Sequence, residues 1–117
     1  MKKKFILKKK SEINLIFKFK KNVKNRFFLL YYIKNPCFQN FKFALSVNKK
    51  YGKAYERNLI KRRLRIIIHN NMSLIEPKAS FVLVINSISK ELNFFDLEKN
   101  FLFLLKKSFL IVKKGYY

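Results

Sequence analysis

The sequence predicts a single mixed α/β domain with the element order α-β-β-α-β-α and room for one further short strand before the second helix. Three observations lead to this class. Half of the 117 residues are hydrophobic, which is enough to bury a core. Apolar residues recur with helical spacing in three segments and with strand-like patterning in three others. No repeat, low-complexity tract or flexible linker divides the chain, so residues 1–117 are expected to share one core.

The first and last elements are predicted to be amphipathic helices. The first covers residues 11–21, where Ser11 can cap the start and lysines crowd the end, an arrangement that the helix dipole favours. Its apolar side chains follow the i, i+3, i+4 spacing of one helix face: Ile13, Ile16 and Phe17. The last helix begins after Asn93, an N-cap residue with Asp96 three positions on. Its apolar face consists of Leu97, Phe101, Leu104 and Leu105.

Three segments are predicted to be β-strands. Residues 27–32 form an apolar and aromatic run that is too short for a good helix and is followed by a Lys-Asn-Pro turn. Residues 41–47 alternate large apolar side chains with smaller or polar ones, the pattern of a strand with one buried face, and should run antiparallel to the first strand. Residues 81–85 are continuously apolar and β-prone, as expected for a buried central strand.

The second helix is predicted over residues 55–70 and is strongly basic. At about 100° per residue, four cations and one asparagine occupy one arc: Arg57, Asn58, Lys61, Arg62 and Arg65. The packing residues occupy the opposite arc: Leu59, Ile60, Leu64 and Ile67. Arg63 falls among the apolar positions, so it either extends past the edge of the core or marks an exposed part of that face. The pattern leaves both options open.

The formal charge of +22 indicates a polyanionic partner, because self-repulsion on this scale destabilises a folded chain unless counter-charge offsets it. Nucleic acid is the expected partner. A membrane is not, since there is no apolar span of about 20 residues and no signal-peptide core. The short basic N-terminal arm, about residues 1–10, has only three consecutive apolar residues. The single Cys37 fits a reducing compartment, so the protein is predicted to be cytoplasmic.

No catalytic residue and no metal-binding set is predicted in the chain. Three of its six carboxylates lie near the start of the last helix, where the helix dipole explains them: Glu91, Asp96 and Glu98. The one histidine, His69, has no Cys, Asp or Glu nearby in sequence. A histidine at a helix end is more often structural or solvent-facing than a ligand. If a reaction occurs, another molecule is expected to carry it out.

The segment from Lys49 to Arg65 is the strongest functional signal. Arginine side chains bind phosphate through two hydrogen bonds, lysines add point charge, and Asn58 can hydrogen-bond to a phosphate, a ribose or another loop of the protein. A charged helix face is ordinarily only solvated surface, but nearly all the charges here have one sign. Gly52, just before the helix, serves either a turn or the approach of backbone amides to phosphate.

Residues 46–65 resemble the signature of the bacterial ribonuclease P protein subunit. They match the pattern Ser-Val-x-Lys-Lys-x-Gly-x-Ala, followed by Arg-Asn, Lys-Arg and Arg at fixed helical spacing. The resemblance extends over almost the whole chain and includes the element order. Two positions depart from the family pattern. Leu59 stands where an Arg-Asn-Arg triplet has its third residue, and Ile13 stands where an aromatic residue is common.

The resemblance implies an α+β sandwich similar to the second domain of ribosomal protein S5, with a left-handed βαβ crossover through the basic helix. It also implies a component of an enzyme whose catalytic groups belong to RNA. By this resemblance, a catalytic RNA subunit would remove the 5′ leader of precursor tRNA with Mg2+ held mainly by that RNA, and the protein would assist it in a heterodimeric protein–RNA complex. The alternative is a ribosomal or other structural RNA-binding protein without a processing role, which would have the same charge.

The resemblance implies two binding surfaces. The catalytic RNA would contact the basic helix and the lysines before it: Lys49, Lys50, Lys53, Arg57, Asn58, Lys61, Arg62 and Arg65. The precursor-tRNA leader would lie in a cleft between the first helix and the sheet, lined by Ile13, Phe17 and Tyr31. Phe17 and Tyr31 can equally be core aromatics, and the sequence leaves that alternative open.

Overall fold

The computed structural model of the protein describes residues 2–112. Four strands form one sheet: β1 (Asn22–Lys24), β2 (Phe28–Lys34), β3 (Lys42–Val47) and β4 (Ala79–Ile85). Three helices pack on it: α1 (Lys10–Phe19), α2 (Ala54–Asn70) and α3 (Phe94–Lys107). The chain order α1-β1-β2-β3-α2-β4-α3 confirms the predicted order, and β1 is the further short strand.

The sheet has the strand order β1-β2-β4-β3 and contains one parallel pair. β1 pairs antiparallel with β2, and β2 pairs antiparallel with β4, where Tyr31 lies opposite Val82. β3 pairs parallel with β4, with Phe43 opposite Phe81, so α2 is the crossover between two neighbouring parallel strands. The predicted opposite directions of β2 and β3 are confirmed, although β4 lies between them.

Strand β4 is the centre of the fold, as its unbroken apolar sequence predicts. Six of its seven residues are buried. Because side chains alternate along a strand, Phe81, Leu83 and Ile85 face one side of the sheet and Val82 faces the other. The larger core lies on the Phe81 side, under α2 and α3, and α1 packs on the Val82 side. The α1 side therefore has the smaller core and the less covered part of the sheet.

The predicted N-terminal arm is docked on the sheet over part of its length. The N–H group of Leu7 donates to the carbonyl of Phe43 in β3 at 2.9 Å, and the Leu7 side chain is buried. The ring centroids of Phe5 and Phe41 are 4.9 Å apart. These contacts fix the chain path that leads into α1.

The N-cap prediction is confirmed for α3 and wrong for α1. The side-chain oxygen of Asn93 accepts a hydrogen bond from the Asp96 N–H group at 2.8 Å. Helix α1 begins at Lys10 after an N-cap, Lys9, that makes no side-chain hydrogen bond, so Ser11 lies inside the first turn. The reason is tertiary, because docking of the preceding segment on β3 sets the start of the helix.

The packing face of α2 is rotated relative to the sequence prediction. Ile60, Leu64 and Ile67 are buried as predicted, and Ile68 joins them. Leu59 is 40% exposed, so its assignment to the packing face is wrong. At about 100° per residue, Leu59 lies roughly 180° from Ile68. Burial of Ile68 therefore turns Leu59 toward solvent.

The aromatic centre of the larger core generates a stability prediction. The Phe81 ring is fully buried, and its centroid lies 5.9 Å from that of Phe43 and 6.1 Å from that of Phe101. Phe81→Ala should lower the free energy of unfolding by about 3–5 kcal/mol, because it leaves a cavity that packed neighbours cannot fill. Phe95→Ala, at a position 65% exposed, should change it by about 0.5 kcal/mol or less. Urea unfolding of both variants checks this, and equal losses would contradict it.

Candidate nucleic-acid interface

A basic surface is formed by α2 and the segment before it. We call residues 49–53 the basic loop, and its three lysines are exposed: Lys49, Lys50 and Lys53. We call the predicted arc of the helix the α2 stripe: Arg57, Asn58, Lys61, Arg62 and Arg65. Asn58, Arg62 and Arg65 are exposed, whereas Arg57 and Lys61 are half-buried. The structure thus places all eight residues on one helix and the loop that precedes it.

Two recesses follow the α2 stripe. The recess nearer the helix start is lined by Val47, Ala54, Arg57, Asn58 and Lys61. The recess nearer the helix end is lined by Arg62, Arg65, Ile66 and His69. Ile66 and His69 are not among the sequence-predicted residues. Extension of the helical wheel by one turn beyond Arg65 is the signal that identifies His69.

Arg57 has unused hydrogen-bonding capacity. Its Nε atom is buried and has no hydrogen-bond partner within residues 2–112. A buried donor in this state costs about 1–3 kcal/mol. The side chain lines the recess nearer the helix start, where an anionic acceptor from outside could satisfy the guanidinium. Arg57 is therefore the stripe residue with a buried donor that no other group in residues 2–112 satisfies.

The basic loop has a defined backbone. Residues Lys49–Tyr51 form a 3-10 turn, in which the Asn48 side-chain oxygen accepts from the Lys50 N–H group at 2.9 Å. The Tyr51 side chain is buried, and burial raises the pKa of its hydroxyl above the usual value, so the phenol is neutral at physiological pH. With Tyr51 anchored inward, the lysines of the turn point into solvent on a fixed backbone.

Gly52 is required by close packing against a side-chain pair. Its φ of 153° lies in the region that favours glycine. A Cβ atom here would lie 2.6 Å from Glu56 Oε1 and 2.9 Å from Lys90 Nζ. Glu56 Oε2 and Lys90 Nζ are 2.9 Å apart and form the one ion pair within residues 2–112. Of the two roles left open by the sequence, the geometry supports the turn, with these side chains packed against it.

Arg63 is exposed and lies on the flank of α2 away from the stripe. It lines a recess together with Tyr51, Leu59 and Lys90. Of the two options for this residue, exposure is correct. The same rotation of α2 that exposes Leu59 exposes Arg63, because the two residues are one turn apart.

A second surface lies between α1 and the sheet. Ile13, Phe17 and Tyr31 are half-buried around the smaller core, next to Ile16 and Val82. The Phe17 and Tyr31 rings meet edge to face, with centroids 4.8 Å apart and planes at 77°. The two rings therefore pack together, and each keeps part of its surface accessible. We call this group the α1 cleft.

The sheet surface continues from the α1 cleft toward the basic loop. Two residues before Tyr31 on the same face, Leu29 lies opposite Val84, and Val84 lies opposite Ser46. Leu29 and Val84 are half-buried and Ser46 is exposed. Since Ser46 is followed at once by the end of β3 and the basic loop, this face of the sheet runs from the α1 cleft to the start of the basic loop.

Three of the carboxylates, Glu56, Glu76 and Glu98, make polar contacts within the fold. Glu98 accepts from the Asn71 side chain at 2.9 Å, and Glu76 accepts from the Lys78 N–H group at 3.0 Å. The paired Lys90 ammonium and the Lys53 N–H group hold the pKa of the Glu56 carboxyl below its usual value. Over residues 2–112, no three His, Cys, Asp or Glu side chains cluster as a metal site would need. No helix in this range combines the length and apolarity needed to cross a bilayer.

Comparison with known proteins gives one consistent family. A sequence-family model described as Ribonuclease P matches residues 1–108. The chain is 53% identical over 115 residues to the ribonuclease P protein component of Onion yellows phytoplasma (strain OY-M), covering 97% of this chain and 82% of that protein. It is 42% identical over 115 residues to that of Acholeplasma laidlawii (strain PG-8A), covering 98% of each.

Solved structures agree with the sequence relatives. The fold matches the RNase P protein of Staphylococcus aureus with a TM-score of 0.84 and 26% identity, covering 92% of this chain and 98% of that one. It matches the RNase P protein of Thermotoga maritima with a TM-score of 0.78 and 27% identity, covering 93% and 97%.

Proposed function

The chain belongs to the ribonuclease P protein family, as a protein subunit of that tRNA-processing ribonucleoprotein, and from this premise we propose which of its surfaces binds which RNA. The α2 stripe and the basic loop bind the catalytic RNA. The α1 cleft binds the 5′ leader of the precursor tRNA. The complex is a heterodimer of one protein and one RNA, and it acts in the cytoplasm, a reducing compartment that suits the exposed thiol of Cys37.

The uniformly positive charge of the α2 stripe and the basic loop is the main support for this proposal. Seven of the eight residues in the loop and stripe sets are cations, and the eighth is Asn58. The nearby carboxylate, Glu56, forms an ion pair with Lys90, a cation outside the two sets. Such a surface releases counterions from phosphates when it binds RNA, which favours association. The arginines add bidentate bonds that fix the orientation of the RNA backbone.

The catalytic groups are assigned to the RNA. Mg2+ binds through carboxylate and phosphate oxygens. The carboxylates of residues 2–112 do not cluster, whereas a folded RNA supplies many phosphates. When bound there, Mg2+ can activate water and stabilise a leaving oxygen. This chain contributes positive charge that holds the RNA partners close despite their mutual repulsion.

The α1 cleft suits a single-stranded leader. Stacking on aromatic rings binds unpaired bases with little dependence on sequence. Phe17 and Tyr31 present ring surface there, and exposed lysines lie nearby at the end of α1 and on β1: Lys18, Lys20 and Lys24. Because the sheet face that carries the cleft runs to the start of the basic loop, a leader held in the cleft could continue toward RNA bound at that loop.

Reconstitution tests the proposed function as a whole. Added to the ribonuclease P RNA of its own organism at low Mg2+ concentration, the protein should accelerate release of the 5′ leader from precursor tRNA, because its cations replace screening that Mg2+ would otherwise provide. Product formation is followed on a gel. No stimulation over RNA alone would contradict the proposal. Co-sedimentation with ribosomal subunits, together with unchanged tRNA ends after depletion, would instead indicate a structural RNA-binding protein.

Salt dependence tests the α2 stripe. Arg57→Ala, Lys61→Ala, Arg62→Ala and Arg65→Ala should each weaken binding to the catalytic RNA and flatten the slope of log K against log salt by roughly 0.7–0.9, one phosphate contact apiece. Lys99→Ala, which removes an exposed cation from α3, is the matched control and should leave the slope nearly unchanged. If all five variants flatten the slope equally, the stripe is no more than general positive charge.

Substrate comparison tests the α1 cleft. Phe17→Ala should weaken binding of the reconstituted enzyme to precursor tRNA by roughly fivefold or more, since a stacked base is worth about 1–3 kcal/mol. Binding to mature tRNA, which lacks the leader, should not change. Phe19→Ala is the control, because that ring is on the same helix, 59% exposed and outside the cleft. Equal losses for both tRNA forms would show that Phe17 serves only packing.

A further inference from the structure

The Glu56 carboxylate joins three segments that are separate in sequence. Its Oε1 atom accepts from the Lys53 N–H group of the basic loop at 3.1 Å. Its Oε2 atom lies 2.9 Å from Lys90 Nζ. Glu56 itself is in the first turn of α2, and Lys90 belongs to the 3-10 turn Ser87–Glu91 that follows β4. One side chain therefore connects the loop, the helix start and the end of the central strand.

The Lys90 side chain is held from two further sides. Its ammonium lies 5.3 Å from the centroid of the buried Tyr51 ring, a cation–π arrangement. The same nitrogen atom lies 2.9 Å from the position that a Cβ atom on residue 52 would occupy. Lys90 thus packs against Tyr51 and Gly52 of the basic loop, whereas the three lysines of that loop are exposed to solvent.

The pair is a positioning device more than a source of stability. The side chains of Lys90 and Glu56 are 42% and 30% exposed, and ion pairs in such places contribute little to folding. A carboxylate beside a phosphate-binding surface also opposes binding through repulsion. The geometry nevertheless gives both of its oxygens partners that fix the loop. The Glu56 carboxylate therefore repels phosphate, but its hydrogen bond and ion pair order the basic loop.

We propose that Lys90, acting through Glu56, is a positioning residue that holds the basic loop against the start of α2, so that its lysines and the α2 stripe reach the RNA together. This inference rests on the proposed function. Lys90 does not need to touch RNA, because it acts on the loop backbone through the carboxylate. Gly52 is part of the device, since a side chain at that position would displace the pair.

The sign of the Glu56→Gln effect tests the proposal. If Glu56 is only an acid near RNA, removal of its charge strengthens binding to ribonuclease P RNA. If Glu56 positions the loop, Glu56→Gln weakens binding, on the order of fivefold. Glu91→Gln is the matched control, because Glu91 is an exposed acid of the same turn as Lys90, and its loss should leave binding unchanged or slightly stronger. A Glu56→Gln protein that binds as tightly as Glu91→Gln overturns the proposal.

Lys90 variants separate positioning from direct contact. Lys90→Met should weaken binding to a similar extent, Lys90→Arg should retain it, and the double variant with Glu56→Gln should be no weaker than either single one. The salt slope should stay near that of the wild type. A flattened slope for Lys90→Met in the Glu56→Gln background would show that Lys90 binds a phosphate itself, which overturns the proposal.

The controls keep this inference distinct from the proposed function. Urea unfolding of each free variant establishes that the domain is folded under the binding conditions, and rescue by Lys90→Arg excludes a general packing defect. If Arg62→Ala alters the salt slope while Glu56→Gln strengthens binding, only the positioning role fails. If the wild-type chain neither binds nor activates the RNA, the proposed function fails.

Discussion

Mutual repulsion among 28 lysine and arginine residues is the constraint on which the rest of this structure depends. Six carboxylates cannot offset it, and one ion pair forms within residues 2–112. Folding therefore relies on apolar burial, and the larger core is built around aromatic rings from β3, β4 and α3. The cations are left on the surface, where salt screens their repulsion and a bound polyanion can offset it. Fold stability and RNA binding thus respond to the same excess of charge.

Chain topology places part of that excess positive charge together, on α2 and the loop before it. The parallel pairing of β3 with β4 requires a long connection, and the chain uses a single helix for it. The basic loop lies where β3 ends and α2 begins, so its lysines meet the positive end of the helix dipole. The less covered face of the sheet, on the α1 side, approaches this end of β3 through Leu29, Val84 and Ser46. The sheet face that carries the α1 cleft and the basic loop therefore both border the end of β3.

The regular elements and the basic surface could be predicted from local patterns, whereas contacts between distant segments could not. Periodicity identified all three helices and three strands, and missed only the assignment of β1, whose three residues are too few to show a pattern. Ser11 and Leu59 were misassigned because tertiary packing decided them: the docked N-terminal segment set the start of α1, and burial of Ile68 rotated α2. No local signal marks Lys90, which is 34 positions from its partner Glu56.

The two departures from the family pattern acquire a physical meaning once their positions are known. Leu59 is exposed, so a leucine there removes a cation from the surface without adding to the core. Arg63, one turn further on the same flank, keeps a positive charge beside it. Ile13 is half-buried against the small core under α1, where an aliphatic side chain still packs but offers no ring for a base. Ring surface at the α1 cleft therefore comes from Phe17 and Tyr31, whose edge-to-face contact holds the two rings against each other.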